Sequence, residues 1–153
     1  MCSFFKNKKV LKAVANGWVI PIELVNDLVF SSKMMGDGFA ITNHDGMIYS
    51  PLEGVVDNIF PTLHAITIKS KSGELCLVHM GIDSVRLKGL PFSVKVKERQ
   101  YIKTGAPLAE MDISILKKEE IDPVVIVVLP EIEKGKLLVK EQEVVLQEEI
   151  FKF

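Results

Sequence analysis

Two of the three histidines lie in a stretch that reads as a single hairpin. The segment Thr62-Leu63-His64-Ala65-Ile66-Thr67-Ile68-Lys69 is rich in β-branched residues, and so is Leu75-Cys76-Leu77-Val78-His79-Met80. Between them lies Ser70-Lys71-Ser72-Gly73, a polar tip of the kind that joins antiparallel strands. With Lys71 and Ser72 as a two-residue turn, Ser70 faces Gly73 and, counting outward, His64 faces His79. Facing residues have Cβ atoms about 4.5–5.5 Å apart, so two imidazoles could serve one small anion or metal ion. A register slip of two would keep them on one face, whereas a slip of one would separate them.

Three chemistries suit such a pair. In phosphoryl relay, one neutral imidazole is the nucleophile and the other donates an N–H to the travelling group. An unperturbed histidine, with a pKa of about 6.5, is mostly neutral at pH 7, and phosphoryl transfer needs chiefly positioning and charge stabilisation. A metal site would need Asp83 or a third histidine to complete the shell. General acid–base catalysis would need a substrate cleft, which the sequence does not display.

The elements that must position the pair are strands. Short Val/Ile-rich segments, punctuated by Gly or Pro, predict an all-β fold, an antiparallel sandwich or flattened barrel of the barrel-sandwich hybrid type. Strands are expected near Gly17–Leu24, Gly38–Thr42, Met47–Ser50, Gly54–Ile59, His64–Lys69, Leu75–Met80, Phe92–Val96, Leu108–Asp112, Val124–Leu129, Leu137–Val139 and Val144–Gln147. Helical period is confined to Ser114–Glu120, with a brief turn at Ser84–Lys88. Weak echoes, such as Ala15-Asn16-Gly17-Trp18-Val19-Ile20 against Pro51-Leu52-Glu53-Gly54-Val55-Val56, suit a fold of related β units and fall short of a solenoid period.

The 153 residues suit one domain, expected over 13–153 after a mobile N-terminal tail at 1–12. A net charge of −1, with Arg86 and Arg99 the only arginines, excludes a general nucleic-acid footprint. The longest apolar run, Val124–Leu129, is far shorter than the ~20 residues of a membrane span. The first residues lack the long apolar core of a secretory signal, and two cysteines make no disulfide framework, so a cytoplasmic location is expected. Through Phe4, Phe5, Val10 and Leu11 the tail could at most make peripheral membrane contact. Cys76, inside an apolar strand, reads as core.

Three segments carry a resemblance: Met35-Gly36-Asp37-Gly38-Phe39-Ala40-Ile41, Ser50-Pro51-Leu52-Glu53-Gly54-Val55-Val56 and, most specifically, Leu77-Val78-His79-Met80-Gly81-Ile82-Asp83-Ser84-Val85 with Leu87-Lys88-Gly89. From about Ala13 to Gln147 the chain resembles the glucose-type enzyme IIA of the bacterial sugar phosphotransferase system. The resemblance implies a phosphotransferase component that works through a phosphohistidine. His79 would accept the phosphoryl group on Nε2, His64 would hydrogen-bond that group, and Thr62 would orient His64. A backbone carbonyl near Gly81 would hold the His79 Nδ1 proton.

Upstream, the implied partner is the histidine-containing phosphocarrier protein. Downstream it is the cysteine of the enzyme IIB domain of a glucose-type sugar permease, with the IIB and membrane components on other molecules. No cofactor or metal is implied. Leu28, Val29, Phe30, Met34, Met35, Phe60, Leu77 and Val85 read as core from their types alone, whereas the resemblance implies that many form an apolar docking rim, flanked by Asp27 and Asp83. One departure lies at Ala13-Val14-Ala15-Asn16-Gly17, where relatives commonly carry Ala-Pro-Leu-Ser-Gly, so the first turn is expected to differ.

Other residues read more plainly. Asp37 between two glycines reads as a turn residue, His44 in Asn43-His44-Asp45-Gly46 as a solvated loop histidine, and Glu131–Lys140 as a solvated face. A lysostaphin-type zinc endopeptidase is loosely echoed by His44-Asp45-Gly46, but that chemistry needs a His-x-His pair, which this sequence lacks. A lipoyl or biotin carrier would need a Met-Lys-Met-type turn, also absent. A regulatory binding module without phosphotransfer is the remaining alternative.

Overall fold

Runs of four to six apolar residues bounded by Gly and Pro are too short for helices and fold as strands. The structure, a computed structural model, describes residues 9–153. Its strands are β1 (Val10–Lys12), β2 (Gly17–Pro21), β3 (Asp37–Thr42), β4 (Met47–Tyr49), β5 (Gly54–Ile59), β6 (Ala65–Ser70), β7 (Leu75–Met80) and β8 (Phe92–Val94). The chain continues through β9 (Tyr101–Ile102), β10 (Pro107–Met111), β11 (Val125–Leu129), β12 (Lys136–Leu137), β13 (Gln142–Val144) and β14 (Glu149–Lys152). Helix α1 (Leu28–Ser31) follows β2, helix α2 (Ile113–Lys118) follows β10, and 3-10 turns occupy Ile22–Leu24 and Ser84–Leu87.

The expected all-β, antiparallel class holds. Eight strands form one sheet in the order β13-β2-β3-β11-β7-β6-β5-β9, with antiparallel neighbours throughout. Two three-stranded sheets, β1-β14-β12 and β4-β10-β8, accompany it, so among the described residues the large sheet stays open and does not close into a barrel.

Side-chain alternation divides the apolar residues between two cores. Cys76, Val78 and Met80 of β7 join Val125, Val127 and Leu129 of β11 in the main core. The opposite face of β11, with Ile126 and Val128, and Val124 just before the strand pack with Leu77, Ala65, Ile22, Val25 and Phe30 in a second core. Apolar material on both faces explains why β11 has no polar alternation and is buried throughout. The segment 22–35, containing α1, covers that second face.

Several expectations need correction. The tail at 1–12 is too long: Val10–Lys12 is a strand paired with β14, and Leu11 is fully buried. Phe4 and Phe5 lie outside the described residues. Strand β2 stops at Pro21, where the chain enters a 3-10 turn instead of continuing to Leu24. Helix α1 was not foreseen because a four-residue helix has too little sequence for a period; its one signal was Asp27, whose side chain accepts from the Val29 N–H at 2.9 Å as an N-cap. Strands β9 and β14 were also unforeseen. Asp37 is a buried strand residue: its carboxylate accepts from the Gly38 and Gly135 N–H groups at 2.8 and 2.9 Å, with Lys33 Nζ at 3.6 Å.

Candidate active site

His79 occupies the penultimate position of β7, between Ala65 of β6 and Ile126 of β11. Alternation places it on the second-core face, away from Val78 and Met80. The hairpin register differs by one from the two-residue-turn expectation. Gly73 takes a left-handed conformation at φ 99°, so Lys71, Ser72 and Gly73 all belong to the loop and Ala65, not His64, faces His79.

The histidines nevertheless meet. His64 lies just outside β6, where the strand ends in a tight turn: Leu63 is left-handed at φ 59°, and its N–H donates to Phe60 O at 2.7 Å. The His64 side chain is therefore not bound to the face that strand alternation would assign. Its ring packs edge-on to His79, with centroids 5.0 Å apart and planes at 79°. Thr62 Oγ1 lies 2.6 Å from His64 Nδ1, which leaves His64 Nε2 for other work. The two rings are walled by aromatic edges, Phe30 at 4.9 Å from His79 and Phe60 at 5.4 Å from His64, centroid to centroid.

Burial favours the neutral form of both rings. His79 is pushed down to about 4, first by desolvation and then by the neighbouring His64; the Gly81 backbone, Asp27 and Asp83 oppose the shift. His64 is also lowered, by desolvation. Near pH 7 each ring therefore has a free nitrogen lone pair. His79 Nδ1 is buried and makes no hydrogen bond of normal geometry, although the Gly81 backbone is close enough to favour a proton on the ring. The pair can thus offer one nucleophilic nitrogen and one N–H donor to a small anionic group.

The loop after His79 is tightly held. Gly81 is left-handed at φ 82°, and an added Cβ would come within 3.1 Å of Ser84 Cβ. The buried Ser84 hydroxyl donates to Met80 O at 2.5 Å. Asp83 starts the 3-10 turn that carries Val85.

The expected apolar rim divides in three. Leu28 and Met34 are 77% and 74% exposed, and Val29 and Val85 are also exposed. Met35 and Phe60 are partly buried against the second core. Phe30 and Leu77 are corrections: both are buried in that core and present no docking area. Ala65 and Ile126, which flank His79, were missed because neither type carries chemistry and only the ladder register reveals them.

His44 is a further correction, being half-buried and fully engaged. Its Nδ1 accepts from the Gly46 N–H at 3.0 Å, and its Nε2 lies 2.7 Å from Pro123 O.

The sequence profile described as phosphoenolpyruvate-dependent sugar phosphotransferase system, EIIA 1, matches residues 9–135. The chain belongs to this family. It is accordingly a component of the sugar phosphotransferase system. It is similar to the glucose-specific EIIA component of Staphylococcus epidermidis, 43% identical over 124 residues that cover 79% of this chain and 74% of that one. It is also similar to a glucose-specific EIICBA component of Streptococcus pneumoniae, 46% identical over 105 residues, 69% of this chain but 14% of that protein. Among solved structures it resembles glucose permease IIA from Mycoplasma capricolum, with a TM-score of 0.85, 32% identity and 97% coverage of both chains. No helix among the described residues is long and apolar enough to cross a membrane.

Proposed function

We propose that this chain is a phosphocarrier that takes a phosphoryl group on His79 Nε2 from the histidine-containing phosphocarrier protein. It then passes the group to the cysteine of an enzyme IIB domain of a glucose-type sugar permease. The carrying observation is the edge-on His64–His79 pair, two neutral imidazoles with the His79 Nδ1 on the buried side. The Nε2 lone pair attacks phosphorus as the bond to the donor's nitrogen breaks, and the His79 proton stays on Nδ1 beside the Gly81 backbone. His64, oriented by Thr62, donates its Nε2–H to the equatorial oxygens. In the second transfer a cysteine thiolate attacks phosphorus and the Nε2–P bond breaks, restoring neutral His79.

The EIICBA name of the Streptococcus pneumoniae relative supports a downstream IIB partner, and the glucose-specific names of the relatives support a glucose-type sugar. Leu28, Val29, Met34, Met35, Phe60 and Val85 form the docking face, with Asp27 and Asp83 at its rim, and both partners use it in turn. The carrier acts in the cytoplasm, where the upstream phosphoryl donors operate.

The test is incubation with phosphoenolpyruvate, enzyme I and the phosphocarrier protein, followed by intact mass and peptide mapping. One acid-labile phosphoryl group on His79, absent from His79→Gln, is expected. Labelling elsewhere, or a fully labelled His79→Gln, would sink the assignment.

A further inference from the structure

We infer that His44 is a positioning residue for the phosphoryl-accepting loop, acting through a three-residue strap, Asp122-Pro123-Val124; this rests on the reading of His79 as the acceptor. Strand β11 runs between β3 and β7, and its N-terminal extension should remain paired on both sides. On the β7 side it does, because Gly81 N–H donates to Val124 O at 2.8 Å and Ile82 N–H to Asp122 O at 3.0 Å. These two bonds hold the loop whose Gly81 backbone stands beside His79.

On the β3 side the ladder fails. Its last pair there is Ile41 with Val125, and Asn43 turns left-handed at φ 52°, which carries the main chain away. The Pro123 carbonyl, pointing opposite to those of Asp122 and Val124, would be left without a backbone donor. His44 supplies one. The Gly46 N–H donates to its Nδ1, so the ring proton is on Nε2 and is donated to Pro123 O at 2.7 Å. Asp122 Oδ1 accepts from the Val124 N–H at 3.0 Å and stiffens the same three residues. A side chain 79 positions away in sequence thus replaces a missing rung of the sheet, and the strap it fixes carries Gly81 and Ile82 on its other edge.

The test compares the full chain with His44→Leu, which cannot donate, and His44→Gln, whose side-chain amide can. Amide exchange at Gly81 and Ile82 and the nitrogen-15 tautomer signature of His79 are read by NMR, and phosphorylation rate separately. The leucine variant is expected to exchange about tenfold faster at Gly81 and Ile82, with Gly73 at the hairpin tip unchanged. The Nδ1–H share of His79 should fall, and acceptance should slow by about tenfold, as small misplacements of reacting groups do. Glutamine should restore all three. Should the leucine variant not fold, His44→Ser, too short to reach Pro123, replaces it. Wild-type exchange and tautomer in the non-donating variant, or a glutamine variant no better than it, would overturn the inference. A wild-type chain that takes no phosphoryl group on His79 would instead defeat the functional reading, while amide exchange still judges the strap.

Discussion

Ala65, not His64, faces His79 across the β6–β7 ladder. Facing residues share one side of the sheet, so the small side chain of Ala65 packs beside His79 and a larger one there would push on the ring. Ala65 is itself fully buried in the second core. Ala65→Leu should therefore destabilise the fold by about 1–3 kcal/mol through overpacking and slow phosphoryl acceptance by more than the lost stability explains. Denaturant melts alongside acceptance rates check this, and an unchanged rate in a folded variant would refute it.

The pairing of the histidines was legible in the sequence, whereas its geometry was not. Two β-branched runs around a polar tip established the hairpin, but the choice between a two- and a three-residue loop depended on Gly73 taking positive φ. That single residue shifts every facing pair by one. The meeting of the rings survived because His64 lies beyond the ladder, in a turn made by Leu63 that no propensity scale signals. Strands with a clear Gly/Pro boundary were found nearly to the residue, such as Gly54–Ile59 and Leu75–Met80. The two-residue β9 and the four-residue α1 were too short to show a period. Phe30 and Leu77 joined the expected rim through the resemblance, whereas their apolar types, which read equally as core, gave the burial the structure shows but not which of the two cores they enter. His44 was misread because its partner, Pro123, is distant in sequence and offers only a carbonyl.

His64 should matter more for giving than for taking. It offers hydrogen bonds to a group already attached elsewhere and is not the nucleophile in the proposed relay. His64→Gln is expected to accept a phosphoryl group on His79 yet pass it to the IIB cysteine about 10²-fold more slowly, the scale of a lost electrostatic donor. Thr62→Val, which removes the 2.6 Å partner of His64 Nδ1, should slow the same step more mildly. Single-turnover transfer between purified domains separates the two steps, and an unchanged onward rate in His64→Gln would count against the role.

Acidification should destabilise the fold through His79. Its folded pKa of about 4 lies below its unfolded value, so between roughly pH 6.5 and 4 the unfolded chain binds more protons. The His79 contribution must then fall as pH drops through this window and level off below about 4. The contribution at neutral pH is at most ~3 kcal/mol, from about 1.4 kcal/mol per pKa unit. His79→Gln should make the profile shallower in that window, leaving the part that the likewise lowered His44 and His64 contribute. An NMR titration of His79 with a midpoint near 6.5 would remove the basis of this expectation.

Phe30 and Met34 lie four residues apart, yet they should fail in opposite ways when mutated. Phe30 is buried and its ring edge supports His79, so Phe30→Ala should cost about 3–5 kcal/mol and loosen the acceptor ring. Met34 is 74% exposed, so Met34→Lys should leave the melting temperature nearly unchanged. A lysine there places charge in a face that both partners must desolvate, and each complex should weaken about tenfold or more. In the proposed relay both must weaken, because a single point of transfer at His79 would keep donor and acceptor from docking on different faces. Asp27 and Asp83 at the rim should speed encounter with basic partners, and replacing both with Asn should lower association rates and flatten their salt dependence. Chemical-shift mapping with each partner in turn provides the decisive measurement. Overlapping footprints centred on Leu28, Met34 and Val85 are expected. Two separate footprints, or a Met34→Lys that weakens one complex alone, would show that the partners do not share the face.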